Sequence, residues 1–253
     1  MGKIIAVANQ KGGVGKTTTA VSMAACAAQN GYRVLLVDFD PQGNASSGVG
    51  VACKKQTVYE ALLSQCTMEA VTEKTQVENL FCAPSDIRLA GAELELAQMD
   101  KREFRLRGAL ALIRDQYDFL FIDCPPSLGL ITINALVSAD SVLIPVQCEY
   151  YALEGISALM DTIKRIKSGL NASLDVEGVV MTMFDGRTNL SLQVVAQVKK
   201  YFRGKMFATP IPRNVRLGEA PSHGEPITLY DPRSTGAQAY QAVTKEFLKN
   251  NKK

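Results

Sequence analysis

The sequence predicts an α/β fold in which a doubly wound, mainly parallel sheet carries helices on both faces. Short apolar runs recur at 4–8, 34–37, 80–83, 119–122, 142–146 and 179–183. Each is continuously apolar rather than alternating, which is the pattern of strands covered on both sides. Between them, 17–29, 101–116, 153–167 and 190–202 have the length and spacing of helices, and this strand–helix rhythm builds parallel crossovers.

Taken in order, run 4–8 leads directly into Asn9-Gln10-Lys11-Gly12-Gly13-Val14-Gly15-Lys16-Thr17-Thr18 and then helix 17–29, with Gly31 suited to its C-terminal stop. Run 34–37 ends on Asp38 and passes through Phe39, Asp40 and Pro41 into 43–55, a loop rich in Gly, Ser and small residues. Run 119–122 ends on Asp123 and continues into Cys124-Pro125-Pro126-Ser127. Segment 211–233 holds many Pro and Gly with little periodicity, and 236–253 closes the chain as a helix with a basic tail. Sheet-like elements continue beyond the first loop and only one helix follows the second, so neither divides domains. One domain over 1–253 is expected, near the upper end of what a single core serves.

Composition narrows the chemistry. No stretch approaches the roughly 20 apolar residues of a membrane span. The start enters an apolar strand without a basic leader, so a cytoplasmic location is expected. The six cysteines, Cys26, Cys53, Cys66, Cys82, Cys124 and Cys148, have no CxxC spacing, which argues against a zinc site and for reduced thiols. His223 is the single histidine, so a Ser-His-Asp triad or a histidine metal site is improbable. Charge is unevenly spread: residues 1–186 hold 16 Lys and Arg against 21 Asp and Glu, a net of −5, while 187–253 hold 12 against 4, a net of +8. The basic C-terminal part is a candidate polyanion surface.

Residues 9–18 carry the sharpest signal. A strand, a glycine loop and a helix in that order allow backbone N–H groups and the helix start to surround phosphate oxygens. Lys16 then reaches the β- and γ-phosphates, the Thr17 hydroxyl binds Mg²⁺, and Gly12, Gly13, Val14, Gly15 and Thr18 complete the cradle. Glycine permits the close approach. Asp123, at a strand end, fits a metal-holding acid, directly or through water, and Asp38 helps organise the metal and its loop.

The loop departs from GxxxxGK[ST], because Gln10 stands in place of the first glycine and a second lysine, Lys11, follows. KGGVGKTT is the deviant Walker A motif of the ParA/MinD superfamily. With DFDPQGNAS at 38–46, GAELEL at 91–96, DCPPSLGLITINAL at 123–136 and PVQCEYYALEG at 145–155, the chain resembles the ParA/Soj family of chromosome- and plasmid-partitioning ATPases from residue 3 to about 249. The resemblance implies a P-loop NTPase fold, ATP and ADP as ligands with Mg²⁺, and an ATP-dependent homodimer in which Lys11 reaches the partner's nucleotide. It gives Asp40 a role in positioning the attacking water, beside the catalytic lysines Lys11 and Lys16, and it brings Pro212 and Asn214 to the adenine. Slow intrinsic hydrolysis, stimulated by DNA and by a ParB-type centromere-binding partner, follows from it, and a link to a replication initiator is left open.

No DNA-reading domain is expected ahead of the phosphate loop, which fits the short Soj-like type. Non-specific, salt-sensitive binding of double-stranded DNA is assigned to Arg187, Lys199, Lys200, Arg203, Arg216, Lys245 and Lys249 as a group, so the protein would be nucleoid-associated. The nearest alternative is a MinD-like membrane-cycling ATPase, for which Tyr240, Val243, Phe247 and Leu248 would form the apolar face of a surface helix. An iron–sulfur reductase needs a second cysteine suitably placed beside Cys124, and none is evident.

Overall fold

The computed structural model describes every residue except 53, 54, 150, 151 and 253, and only the backbone of 152–155. Cys53, part of the expected loop 43–55 and the last residue of the closing helix therefore lie outside the described residues. Seven strands, β1 (Lys3–Val7), β2 (Val34–Asp38), β3 (Glu73–Lys74), β4 (Leu80–Ala83), β5 (Phe119–Asp123), β6 (Ser141–Gln147) and β7 (Asp175–Thr182), form one sheet in the order β3-β4-β2-β5-β1-β6-β7. All pairings are parallel except that of β3 with β4, so the expected doubly wound architecture is present. The antiparallel β3 is a two-residue, charged edge, too short to leave a sequence signal, and it blunts the sheet margin.

Alternate residues of each strand supply two cores. Ile5, Val7, Val34, Leu36 and Phe121 face the helices α1 (Lys16–Gln29) and α12 (Thr235–Asn250). Ala20, Ala24, Ala25 and Ala27 of α1 are fully buried, and such small side chains let the helix lie close between the sheet and α12. Ile4, Ala6, Leu35, Val37, Leu120 and Ile122 face the other way, onto a layer that includes α5 (Ala92–Ala97), α6 (Arg105–Ala111), α7 (Leu130–Ser138), α8 (Ala152–Gly169) and α9 (Asn189–Phe202). The short helices α2 (Asn44–Ser47), α3 (Val58–Leu62), α4 (Met68–Val71), α10 (Arg216–Glu219) and α11 (Ile227–Tyr230) fill the connections.

Several local expectations change. The helix expected over 101–116 breaks into a 3₁₀ turn at Arg102–Phe104, α6, and a second 3₁₀ turn at Arg114–Gln116. The tightened end buries Ile113 and lets Arg114 donate to the Gly2 carbonyl and to Asp140, both at 2.6 Å, anchoring it to the start of β1 and β6. The expected loops 43–55 and 211–233 contain α2, α10 and α11, single turns too short to show a period. β7 begins four residues earlier than expected, and Gly178 within it is obligatory: a Cβ there would come within 2.4 Å of the Phe207 ring. The closing helix packs its stripe inward. Tyr240, Val243, Phe247 and Leu248 are all buried, so they present no apolar face to a membrane. No helix among the described residues is long and apolar enough to cross one.

Candidate nucleotide-binding site

β1 lies centrally, between β5 and β6, and the loop Asn9–Gly15 leaves its C-terminal end to enter α1. The loop is tied on both flanks. Asn9 donates to the Pro145 carbonyl at 2.8 Å and accepts from the Lys11 N–H at 3.0 Å, while Thr182 donates to the Val14 carbonyl at 2.9 Å. Gly13 (φ 74°) and Gly15 (φ 86°) adopt left-handed conformations that strain other residues. Gly12 and Gly13 are exposed, leaving their backbone open to a ligand.

Beneath the loop the parallel register places Asp38 of β2 directly beside Asp123 of β5, and Asp123 beside Val7 of β1. Asp38 is fully buried and uses its oxygens internally. Its Oδ2 accepts from the Ser46 N–H at 2.8 Å and the Ser46 hydroxyl at 2.6 Å, and its Oδ1 accepts from the Asp40 N–H at 3.3 Å. Burial raises its carboxyl pKa to about 6 in spite of these bonds. Asp38 thus anchors the loop that carries Asp40. Asp40 is itself buried, and its Oδ1 accepts from the Gln42 N–H at 3.0 Å.

Asp123 differs. It is completely buried and neither carboxylate oxygen has a hydrogen-bond partner. Burial first, and the Asp38 charge second, raise its pKa well above the carboxylate range, opposed by the nearby Thr17 hydroxyl and by Lys16. Lys16 is buried and donates to the Lys11 carbonyl at 3.0 Å, and burial lowers its pKa, outweighing the acidic neighbours Asp123, Cys124 and Asp40, which act the other way. An unsatisfied buried carboxylate beside a hydroxyl and below an anion cradle suits a hard cation. Among the described residues no group of three or more His, Cys, Asp or Glu side chains could hold an ion. Mg²⁺ fits such a sparse donor set, because it takes one or two carboxylates and completes its shell with water and phosphate oxygens.

A cleft of about 430 Å³ adjoins the loop, lined by Gly15, Thr18, Met183, Pro212, Asn214 and Leu217 among others. Its walls are mainly apolar and it opens beside the phosphate cradle, so a purine has a place there. Met183 has a left-handed backbone (φ 51°) at this wall, a strain of the kind that collects at binding sites. The structure therefore brings together Gly12–Thr18, Asp38, Asp40, Asp123, Pro212 and Asn214 at one edge of the sheet. Lys11 stands at the same edge but turns to Glu149, with 2.9 Å between its Nζ and the carboxylate. Cys124 is buried and burial raises its thiol pKa, which does not suit a cluster ligand.

The basic candidates do not form one group within the chain. Arg187, with a 90% exposed side chain, pairs with Asp185 at 2.7 Å, and Arg216 pairs with Glu219 at 2.8 Å; both stand near the nucleotide edge. Lys199, Lys200 and Arg203 are exposed at the far end of α9, about 20 Å along a helix of that length. Lys245 and Lys249 are exposed on the last two turns of α12. Residue patterns missed Asn9, Glu149 and Thr182, whose partners Pro145, Lys11 and Val14 lie far away in sequence, and Ser46, which binds Asp38 eight residues back. Asn9, next to the glycine loop, is the one whose position could have drawn attention.

Comparison with known proteins agrees with this geometry. A family described as an AAA domain matches residues 2–176. The sporulation initiation inhibitor protein Soj of Bacillus subtilis (strain 168) is 58% identical over 252 residues, covering 99% of this chain and 100% of that protein. The chromosome partitioning protein ParA of Myxococcus xanthus (strain DK1622) is 52% identical over 256 residues, with 99% and 89% coverage. Among solved structures, cobyrinic acid a,c-diamide synthase from Mycobacterium smegmatis with bound ADP and magnesium has a TM-score of 0.87 at 36% identity, covering 99% of this chain and 95% of that one. The cell division ATPase MinD of Pyrococcus furiosus has a TM-score of 0.83 at 25% identity, with 99% and 100% coverage. Sharing its architecture with these proteins and more than half its residues with Soj and ParA, the chain belongs to the Soj/ParA family of chromosome-partitioning ATPases.

Proposed function

We propose that this chain is an ATP-driven dimerising switch that grips DNA while ATP is intact and releases it on hydrolysis, serving chromosome or plasmid partitioning. One observation carries the reading: a phosphate cradle with buried Lys16 sits directly above a buried Asp123 carboxylate with no hydrogen-bond partner. Backbone N–H groups of Gly12–Thr18 and the Lys16 ammonium hold the phosphates, while Pro212 and Asn214 face the base. Thr17 and Asp123, with Asp38 behind them, hold Mg²⁺, which neutralises phosphate charge when bound. Asp40 positions the attacking water on the loop that Asp38 anchors. Hydrolysis then removes the charge that keeps that loop and the dimer closed.

Lys11 is the residue that makes association depend on nucleotide. Its pairing with Glu149 joins two side chains that are 35% and 37% exposed, and such half-exposed pairs contribute at most about 1 kcal/mol. Exchange for the phosphates of a second copy's ATP is therefore easily favoured. In that dimer the two copies' basic residues add, so Arg187, Lys199, Lys200, Arg203, Arg216, Lys245 and Lys249 grip double-stranded DNA through its phosphates, without reading sequence. Such a protein resides on the nucleoid, with a ParB-type partner stimulating hydrolysis.

Size-exclusion chromatography and DNA binding with ATP, with ADP and without nucleotide test the scheme. Wild type should dimerise and bind DNA with ATP alone, with an affinity that falls steeply as salt rises. Lys16→Ala should lose roughly a hundredfold in ATP affinity, since a hydrogen bond to a charged group contributes about 1.5–3 kcal/mol. Asp40→Ala should accumulate as a DNA-bound dimer. A dimer fraction indifferent to nucleotide in all three proteins sinks the proposal.

A further inference from the structure

One polar side chain at the wall of the cleft is only half committed. The Thr182 hydroxyl donates to Val14, and the Tyr240 hydroxyl shares a 3.0 Å hydrogen bond with Thr19, so both are engaged with the protein. Asn214 accepts at Oδ1 from the Arg216 N–H at 2.8 Å and donates from Nδ2 to the Thr235 hydroxyl at 2.7 Å. A carboxamide offers two lone pairs and two N–H groups. Asn214 therefore keeps one acceptor site and one donor uncommitted at the margin of the cleft.

We infer that Thr235 is a positioning residue that, together with the Arg216 N–H, holds the Asn214 amide in one orientation and so makes the cleft select adenine over guanine nucleotides. The inference rests on the ATP-binding function proposed above. A backbone N–H can only donate, so the reversed amide would set two donors against each other at Arg216. The terminal torsion of asparagine is otherwise broad and nearly two-fold, so one anchor leaves the amide free to tilt. Thr235, at the first position of α12 and 21 residues away in sequence, supplies the second anchor.

An adenine presents its amino donor beside a ring-nitrogen acceptor, whereas guanine carries the O6 acceptor in place of that amino group. The base cannot turn over to compensate, because its sugar is tethered to phosphates held in the Gly12–Thr18 cradle. A fixed amide thus complements adenine and opposes guanine, and an amide released from Thr235 discriminates less.

The test measures dissociation constants for Mg-ATP and Mg-GTP in wild type, Thr235→Val, Thr235→Ala and Thr235→Ser, and in Asn214→Ala with and without Thr235→Val. Loss of one orienting hydrogen bond should narrow the ATP-over-GTP preference roughly five- to tenfold in the valine and alanine variants. Serine should restore it, and Thr235→Val should add nothing once Asn214 is alanine. An unchanged ratio in both the valine and alanine variants, a wild type without preference, or an equal effect of Thr235→Val in the Asn214→Ala background overturns the inference while ATP binding stands. Wild type that binds neither nucleotide removes the inference and the proposed function together.

Discussion

The two edges of the sheet treat buried acids in opposite ways. At the C-terminal edge Asp38 and Asp123 stand side by side, and Asp123 has no hydrogen-bond partner. At the N-terminal edge Glu177, with a 6% exposed side chain, pairs with Lys3 and accepts from the Ser141 hydroxyl at 2.6 Å and the Asn251 amide at 2.7 Å. Burial alone would raise the Glu177 pKa, yet those three donors more than offset it and leave it lowered. One acid is finished by the protein itself, and it ties the first strand to β7 and to the residue after α12. The other has no hydrogen-bond partner within the protein, and the function proposed above gives it a cation. A buried acid kept without a partner is the kind of local cost that collects at functional sites, while Glu177 at the opposite edge of the same sheet is fully paired.

The contrast can be broken at four points. The largest effect is expected for Asp123→Asn, which should lower Mg-dependent hydrolysis at least about a hundredfold. The melting temperature of ligand-free protein should stay within about 4 °C of wild type, because the amide replaces a carboxyl that burial already keeps neutral and finds no new partner. A fall in both quantities would show that Asp123 supports the fold rather than a cation.

Next comes the pH dependence of Asp38. Its folded pKa, about 6, lies above the ordinary aspartate value of 3.8, so the folded chain holds that proton more tightly than the unfolded one. The stability it contributes is present below the unfolded value and is lost as pH rises through about 6. The shift is on the order of 3 kcal/mol, and Asp38→Asn should flatten denaturant-unfolding free energies over pH 4–6.

Glu177 sharpens the comparison with the opposite sign. Its lowered pKa contributes stability that is present above the ordinary carboxylate range and lost as pH falls through the folded value. Glu177→Gln should cost about 1–2 kcal/mol at neutral pH, since it removes a charged acceptor. Urea midpoints that move equally at pH 7 and at pH 3 would contradict this assignment. The smallest effect on stability is predicted for Gly12→Val. A Cβ there meets only Pro126, at an ordinary 3.9 Å, so ligand-free melting should change by less than about 0.5 kcal/mol. The ATP-dependent dimer should nevertheless be lost, because the added bulk projects outward toward a second copy. A melting change larger than the dimerisation defect would place the clash inside the chain.

Fold and site were legible to different depths. Six strands could be read because burial on both faces leaves an unbroken apolar run, as in 119–122 of β5. Helix α7 could not be read from its period. Nearly all of Leu130–Ser138 is buried, and Asn134 spends its polar groups on the Leu106 N–H and the Arg102 and Leu130 carbonyls, so no polar face marks the turn. The break within 102–116 was equally silent, because it depends on Arg114 reaching residues at the start of two distant strands.

What the sequence determined by itself is the strand-forming runs and the glycine loop with its lysines, because local residue type sets conformational freedom, charge and apolarity. The tertiary structure decided which acid remains unsatisfied and which amide is held, since Asp38, Asp123, Asn214 and Thr235 meet only when β2 aligns with β5 and α12 returns across the cleft. Hydrogen bonds and desolvation depend on neighbours distant along the chain, and those neighbours exist only once the sheet has closed.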